Sequence, residues 1–238
     1  MRGSLGFFGF VTEWLAFRLP DTIISNSVHT TKRLHAAGVM AEIITIPLGI
    51  DVSAVQNVTP SSHTSDIIFV GRLLSHKNIP ILLDAVSLIK KDRPNISLTI
   101  VGDGPEKENI ESYIAQNGLQ DNVTVRTDIA SDSEKYALLK SSGVFVLPSE
   151  REGFGTVLVE ANTAGVPVVT VNCPDNAGKD LINEGVNGVV VSLISGDIAQ
   201  AITHVLDTRN AFNPTHIISM YDWDSVANRC IEVFSIKV

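Results

Sequence analysis

After residue 65 the chain alternates between short apolar runs and longer segments in which apolar residues recur every three or four positions. The runs predict strands at Ile67–Val70, Ser97–Val101, Val123–Arg126, Val144–Leu147, Pro167–Val171 and Val189–Val191. The other segments predict helices, among them Glu106–Gln116, Asp132–Lys140, Thr156–Thr163, Ile198–Leu206 and Ser225–Phe234. Strands that are apolar on both faces are typical of a parallel sheet covered by helices on both sides. The pattern therefore predicts an α/β fold with a doubly wound, Rossmann-like parallel sheet.

A shorter strand–helix–strand pattern precedes this region, at Thr22–Ser25, Val28–Ala37 and Glu42–Ile46. The polar stretch Ser53–Ser65 follows it and predicts a linker, because Ser, Thr, Asn and Pro favour loops. We therefore divide the chain into a short first part at 1–52, the linker at 53–65, a sheet domain at 66–220 and a C-terminal helix at 221–238.

Composition and charge narrow the classes of function. Of the 238 residues, 26 are acidic and 18 are basic, which gives a net charge of −8 and argues against a nucleic-acid partner. The two cysteines, Cys173 and Cys230, share no metal-type spacing and are typical of a cytoplasmic protein.

The segment Leu5–Leu19 predicts a helix with one strongly aromatic face. It is too short and too charged to cross a membrane, since it carries Glu13 and Arg18. Two interpretations stay open, a helix packed on protein and an anchor at the membrane surface. The first is favoured because the polar side lacks the Lys and Arg typical of surface anchors.

Candidate chemistry follows the strands, where ligands bind in open α/β sheets. Arg72 and Lys77 follow the first strand of the sheet domain, and two cations at the start of a helix suit a diphosphate. Glu152 lies in the glycine-rich loop before the helix that carries Glu160. Carboxylates eight residues apart can reach separate hydroxyl groups of one ligand. Because Glu160 stands among apolar neighbours, its carboxylate needs a partner.

Two further loops are candidates for ligand contact. Gly102 and Gly104 leave space for a ligand, although they lack the third glycine of a dinucleotide-binding fingerprint. Asp128 and Ile129 follow the third strand of the sheet domain.

Together these motifs resemble the donor-binding domain of the retaining glycosyltransferases of family four, which have the GT-B fold. The matching runs are Phe69-Val70-Gly71-Arg72, Lys77-Asn78, Val101-Gly102-Asp103-Gly104-Pro105, Leu147-Pro148-Ser149, Glu152-Gly153-Phe154-Gly155 and Glu160-Ala161. The E-x7-E spacing from Glu152 to Glu160 is the signature of that family, and Asp222-Trp223-Asp224 resembles the start of its C-terminal crossover helix. The resemblance covers residues 20 to 235.

The resemblance implies a site for a nucleoside-diphosphate-sugar donor. Arg72 and Lys77 would hold the diphosphate and, with Glu152, act in catalysis, without a metal or cofactor. Glu160 would bind the ribose hydroxyls, and Glu152 the donor sugar. The implied donor-binding set is Gly71, Arg72, Lys77, Gly102, Gly104, Asp128, Ile129, Glu152, Gly153, Phe154, Gly155, Thr156 and Glu160. A hexosyl group would pass with retention to a saccharide or lipid-linked acceptor, in the cytoplasm or at the inner face of a membrane.

The first part, 1–52, is short for the acceptor domain that such enzymes place there. We therefore expect a remnant of that domain, completed by a separate N-terminal chain or by a homodimer through the Leu5–Leu19 helix. Three alternatives to transfer by this chain alone stay open: a non-catalytic module that binds nucleotide-sugars, one subunit of a split glycosyltransferase, and a GT-B-like sugar-nucleotide epimerase.

Overall fold

The computed structural model of the protein describes residues 12 and 15–235. The strands of this part are β1 (Thr22–Ser25), β2 (Glu42–Thr45), β3 (Ser65–Val70), β4 (Leu98–Val101), β5 (Val123–Arg126), β6 (Ser142–Leu147), β7 (Arg151–Glu152), β8 (Val168–Val171), β9 (Asp175–Asn176) and β10 (Gly188–Val191). The helices are α1 (Val28–Ala36), α2 (Val52–Gln56), α3 (Ile79–Ile89), α4 (Lys107–Gln116), α5 (Asp132–Lys140), α6 (Thr156–Thr163), α7 (Ser195–Asp207) and α8 (Trp223–Ser235).

A six-stranded parallel sheet forms the centre of the molecule, in the order β10-β8-β6-β3-β4-β5. Counted along the chain, its strands are ordered 6-5-4-1-2-3, which is the strand order of a Rossmann fold. The order reverses between β3 and β6, which pair in parallel through Ile67 and Val144. The doubly wound fold predicted from the sequence is confirmed, and the reversal marks where a ligand is expected to bind.

Helices flank this sheet and bury its strands. Helix α3 packs against α4 and α7, whereas α5 packs against α6. The side chains of Phe69 on β3 and Phe145 on β6 are fully buried, as expected for central strands of a covered parallel sheet.

The N-terminal segment forms a small parallel sheet of β1 and β2, joined by α1. It is tied to the C-terminal part of the chain at Ile50, whose N–H donates to the Tyr221 carbonyl (2.8 Å) and whose carbonyl accepts from the Trp223 N–H (3.2 Å). Ile50 and Tyr221 also belong to a second hydrophobic cluster, with Phe154, Val159 and Ile217. The N-terminal segment and the start of α8 therefore meet beside the loop that follows β6.

The prediction of a loop from Ser53 onward is wrong for its first residues, which belong to α2. The Asp51 carboxylate caps this helix by accepting from the Ala54 N–H (2.7 Å), and Val55 is fully buried in the main core. Lys140 donates to the carbonyl of Val58 (2.8 Å), so the stretch that follows is docked on α5. The assignment of 53–65 as a boundary between domains stays a prediction.

Most of the predicted helix Leu5–Leu19 lies outside the described residues, and so does the dimer contact expected of it. In the part of the chain that the structure describes, every helix is too short or too polar to span a bilayer.

Candidate functional site

The loops that follow β3 and β6 meet at the switch point of the sheet. Asn78 ends the loop after β3, and its side-chain amide donates to the Pro148 carbonyl in the loop after β6 (3.2 Å). The Glu150 N–H donates to the His76 carbonyl (2.9 Å). Asn78 has a left-handed backbone (φ 51°), a conformation in which Asn is enriched among non-glycine residues. The structure thus brings the two loops with the predicted site residues into direct contact.

An ion pair joins these loops through two predicted site residues. The Lys77 ammonium donates to Oε1 of Glu152, and each side chain is only 13% exposed. The backbone of Glu152 is held by pairing with Asn176 between β7 and β9. Two groups assigned to one pocket from the sequence therefore touch, although 75 residues separate them.

Arg72 has a different environment, although it follows the same strand. Its side chain is exposed, and no carboxylate of the described residues lies within ion-pair distance of its guanidinium. A guanidinium at the switch point without an internal partner retains all its donors for an anionic ligand.

The loop before α6 bends sharply at Gly155, which has φ +93° and lies directly before Thr156, the first residue of that helix. A Cβ atom at Gly155 would stand 2.8 Å from the Leu158 side chain, so this position requires glycine. The Gly153 carbonyl accepts from the Ser27 hydroxyl (3.0 Å), which connects the N-terminal segment to the candidate site.

The side chain of Phe154 packs beneath this loop. It is 5% exposed and packs edge-on against Tyr221, with ring centroids 6.0 Å apart. On its remaining surface it lines a cavity of about 310 Å³ together with Ser27, Tyr221 and Arg229. The Phe154 side chain therefore packs between the site loop and the C-terminal part of the chain.

Gly102 also has a packing reason to be glycine. A Cβ atom there would stand 2.0 Å from the Gly71 carbonyl oxygen, and one at Gly104 would stand 2.4 Å from that of Leu73. These glycines let the loop after β4 approach the loop after β3. Ligand contact at Gly102 and Gly104 stays a prediction.

Glu160 is buried (8% exposed), and its partner is a residue that sequence reasoning missed. The Lys135 ammonium on α5 donates to Oε1 of Glu160 (3.0 Å), and the Tyr136 hydroxyl lies 3.5 Å from the same oxygen. Burial raises the pKa of the Glu160 carboxyl above its ordinary value, and the charge of Lys135 opposes that rise. The expectation that this carboxylate needs a partner is confirmed.

The loop after β5 is less closely connected to these groups. The Asp128 carboxylate is bound by the Arg126 guanidinium (2.6 Å) and is 70% exposed, and the Ile129 side chain packs against the main core. Arg126 also binds Glu134 on α5 (2.9 Å). The ion pairs of Arg126 therefore join the loop after β5 to α5 and do not reach Lys77 or Glu152.

Sequence reasoning assigned no role to Lys135, Asn78 or Ser27. The conformation of Asn78 could have been suspected from its place directly before a helix, where it follows two polar loop residues. Lys135 carried no local signal, since a lysine in an exposed-looking stretch of helix is commonplace.

The sequence from 56 to 215 matches the family model of glycosyl transferases group 1. An uncharacterized glycosyltransferase of Methanocaldococcus jannaschii is 33% identical over 181 residues, which are 72% of this chain and 45% of that protein. A glycogen synthase of Mycobacterium tuberculosis is 29% identical over 240 aligned positions, 94% of this chain and 56% of that protein. The chain thus spans about half the length of these relatives.

Among solved structures, Anabaena HepE in complex with UDP is similar to this chain with a TM-score of 0.81. The identity is 23%, and the match covers 93% of this chain and 65% of HepE. A second structure of HepE, in complex with UDP and glucose, matches with a TM-score of 0.79 and 22% identity. These likenesses support the fold described above.

Proposed function

This chain belongs to the glycosyl transferases group 1 family, and we propose that it forms the donor-binding part of a retaining hexosyltransferase. The donor is a nucleoside-diphosphate-sugar, and the acceptor is a saccharide or a lipid-linked saccharide. In this proposal residues 66–220 bind the donor, 1–52 belong to the acceptor side, and 221–238 form the helix that crosses back to it.

The observation that carries the proposal is the ion pair between Lys77 and Glu152 at the switch point. A diphosphate that enters here competes with the Glu152 carboxylate for the Lys77 ammonium, while Arg72 supplies a second cation that needs no displacement. The freed Glu152 carboxylate then accepts hydrogen bonds from the hydroxyls of the donor sugar. Lys77 thus exchanges Glu152 for the diphosphate, and Glu152 exchanges Lys77 for the sugar. Phosphate binding and sugar recognition are thereby coupled.

Transfer breaks the bond between the anomeric carbon and the diphosphate oxygen, and its electron pair leaves with the diphosphate. The acceptor hydroxyl oxygen forms the new bond to that carbon, and its proton passes to the oxygen of the leaving diphosphate. Arg72 and Lys77 would stabilise the negative charge that develops on the leaving diphosphate, which is the usual role of fixed cations in such a step. These two side chains would neutralise the charge without a metal or cofactor.

UDP is the first nucleotide to test, since the HepE structures were determined with it. We also propose a cytoplasmic location, peripheral to the membrane where the acceptor is lipid-linked. In support, Cys173 and Cys230 are both unpaired, as is usual in a reducing compartment.

Calorimetric titration with UDP, GDP and ADP, each with and without a hexose, tests the proposal. We expect saturable binding of one nucleotide, tighter with its sugar attached, and loss of binding in the double variant Arg72→Ala/Lys77→Ala. If none of the three nucleotides binds, the proposed donor site is wrong. Binding of the sugar nucleotide without transfer or hydrolysis would instead identify a non-catalytic module or one subunit of a split enzyme.

A further inference from the structure

The two oxygens of the Glu160 carboxylate have different surroundings. Both hydrogen bonds that the described residues give to the Glu160 carboxylate reach Oε1, one from Lys135 (3.0 Å) and one from Tyr136 (3.5 Å). Oε2 receives none from that part of the chain, and it is not among the fully buried atoms that lack a partner. One oxygen is therefore fixed from helix α5, and the other retains its capacity to accept.

Lys135 is itself held in place by three contacts. Its ammonium donates to Asp132 (2.9 Å) as well as to Glu160, and it lies 4.6 Å from the centre of the Tyr136 ring. The side chain is 18% exposed, so its charge is screened only in part by solvent. A lysine with this many contacts has one dominant position, and it fixes the orientation of the carboxylate opposite.

We propose that Lys135 is a positioning residue of the donor site, which binds one oxygen of Glu160 so that the other is presented to the ribose hydroxyls of the nucleotide. This inference rests on the proposed function and, within it, on the ribose contact that the family resemblance implies for Glu160. It adds a residue from a different helix, outside the motif that contains Glu152 and Glu160.

Electrostatics gives Lys135 a second effect on the same carboxylate. A buried glutamate resists ionisation, and an ammonium at 3.0 Å favours its charged form, which is the better acceptor for hydroxyl groups. Burial raises the pKa of Glu160, the Lys135 charge lowers it, and the nearby charge of Asp132 raises it. Lys135 and Asp132 therefore act on Glu160 with opposite sign.

The other ionisable neighbours are few. Tyr136 faces Glu160 from α5, whereas α2, β6 and β8, which also pack near α6, carry no ionisable side chain. The segments Ala177–Leu181 and Pro214–Met220 contribute Lys179, Asp180 and His216, which make no hydrogen bond or ion pair with the carboxylate among the described residues.

The test compares the affinities for UDP and for inorganic pyrophosphate between pH 4.5 and 8. The ratio of the UDP affinity to the pyrophosphate affinity measures what the nucleoside contributes to binding. In the wild type we expect this ratio to fall as the pH is lowered and Glu160 takes up a proton. In Lys135→Met the fall should move to higher pH by roughly one unit or more, the effect of removing a close opposite charge. In Asp132→Asn it should move to lower pH, and Lys135→Arg should restore the wild-type profile.

The outcomes distinguish a failure of ribose binding by Glu160 from a failure of the role of Lys135. If Glu160→Gln retains the full ratio and its pH dependence, Glu160 does not bind ribose and the proposed function fails at this residue. If Glu160→Gln abolishes the dependence but Lys135→Met keeps the wild-type midpoint, only the role of Lys135 is overturned. Should Lys135→Met not fold, Lys135→Gln takes its place, and a wild-type midpoint in that variant overturns the role of Lys135 equally.

Discussion

Lys77 and Glu152 form a largely buried ion pair that joins the loop after β3 to the loop after β6. One member is the cation proposed to hold the diphosphate, and the other is the carboxylate proposed to hold the sugar. Each group is the partner of the other, so neither charge is unpaired although each side chain is only 13% exposed. The pair is a structural contact, and in the proposed function an incoming donor separates it.

Removal of the cation alone should destabilise the fold. We expect Lys77→Met to lower the free energy of unfolding by about 3 kcal/mol, because it leaves the Glu152 carboxylate largely buried and unpaired. The double variant Lys77→Met/Glu152→Gln should recover part of this loss, since no uncompensated charge remains. Urea unfolding followed by circular dichroism measures both, and an equal loss in the single and double variants would show that the pairing does not matter.

Arg72 should behave in the opposite way, with an effect on binding and little on stability. Its side chain is exposed and makes no ion pair among the described residues, so Arg72→Ala should leave the free energy of unfolding within about 0.5 kcal/mol. Binding of UDP and of pyrophosphate should each weaken by about 1.5–3 kcal/mol, the range for charged hydrogen bonds. Titration calorimetry checks this, with Lys91→Ala, an exposed cation just beyond α3, as the matched control. Unchanged affinity for both ligands would refute the phosphate assignment.

Glu152→Gln should separate phosphate binding from sugar recognition. The variant removes the carboxylate that competes for Lys77, so UDP without sugar should bind more tightly, by about 1.5 kcal/mol, at the low end for a charged hydrogen bond. The added affinity that the hexose contributes to UDP-hexose should shrink, because a charged acceptor for its hydroxyls is lost. Competition titrations of UDP against UDP-glucose measure both quantities. Weaker binding of UDP alone would contradict the exchange of partners at Lys77.

Glu160 should make the stability of the protein depend on pH in a defined direction. Burial raises the pKa of its carboxyl in the folded state, so the folded state binds the proton more tightly than the unfolded chain does. The free energy of unfolding of the wild type, relative to Glu160→Gln, should therefore fall as the pH rises above about 4.3, the ordinary value. It should level off once the pH exceeds the raised pKa. Urea midpoints of both proteins from pH 4 to 8 test this, and a difference that grows with pH would mean that the pairing with Lys135 outweighs burial.

The strands of the central sheet were predictable because each is a local apolar run. All six lie within two residues of the ranges expected from the sequence, and Val123–Arg126 agrees at both ends. The two-residue strands β7 and β9 were not predictable. They exist only because the loop after β6 meets the segment after β8, and such a contact leaves no periodic pattern.

Helix α2 shows a different reason for a missed element. It overlaps the polar stretch Ser53–Ser65, which is typical of a loop, but the Asp51 cap and the burial of Val55 stabilise five residues as helix. The capping aspartate was present in the sequence as a start signal. Val55 packs into a core that residues far along the chain build, and this burial outweighs the loop preference of the neighbouring polar residues.

The sequence by itself determined the alternation of strands and helices, and with it the sheet edge at which Arg72, Lys77 and Glu152 must lie. This follows from physics, because the period of apolar residues selects the element and parallel strands direct their ends to one side. Only the tertiary structure decided which charges meet, pairing Lys77 with Glu152 and Lys135 with Glu160. Contacts between loops and helices from separate strands depend on distances across the fold, which no short stretch of sequence encodes.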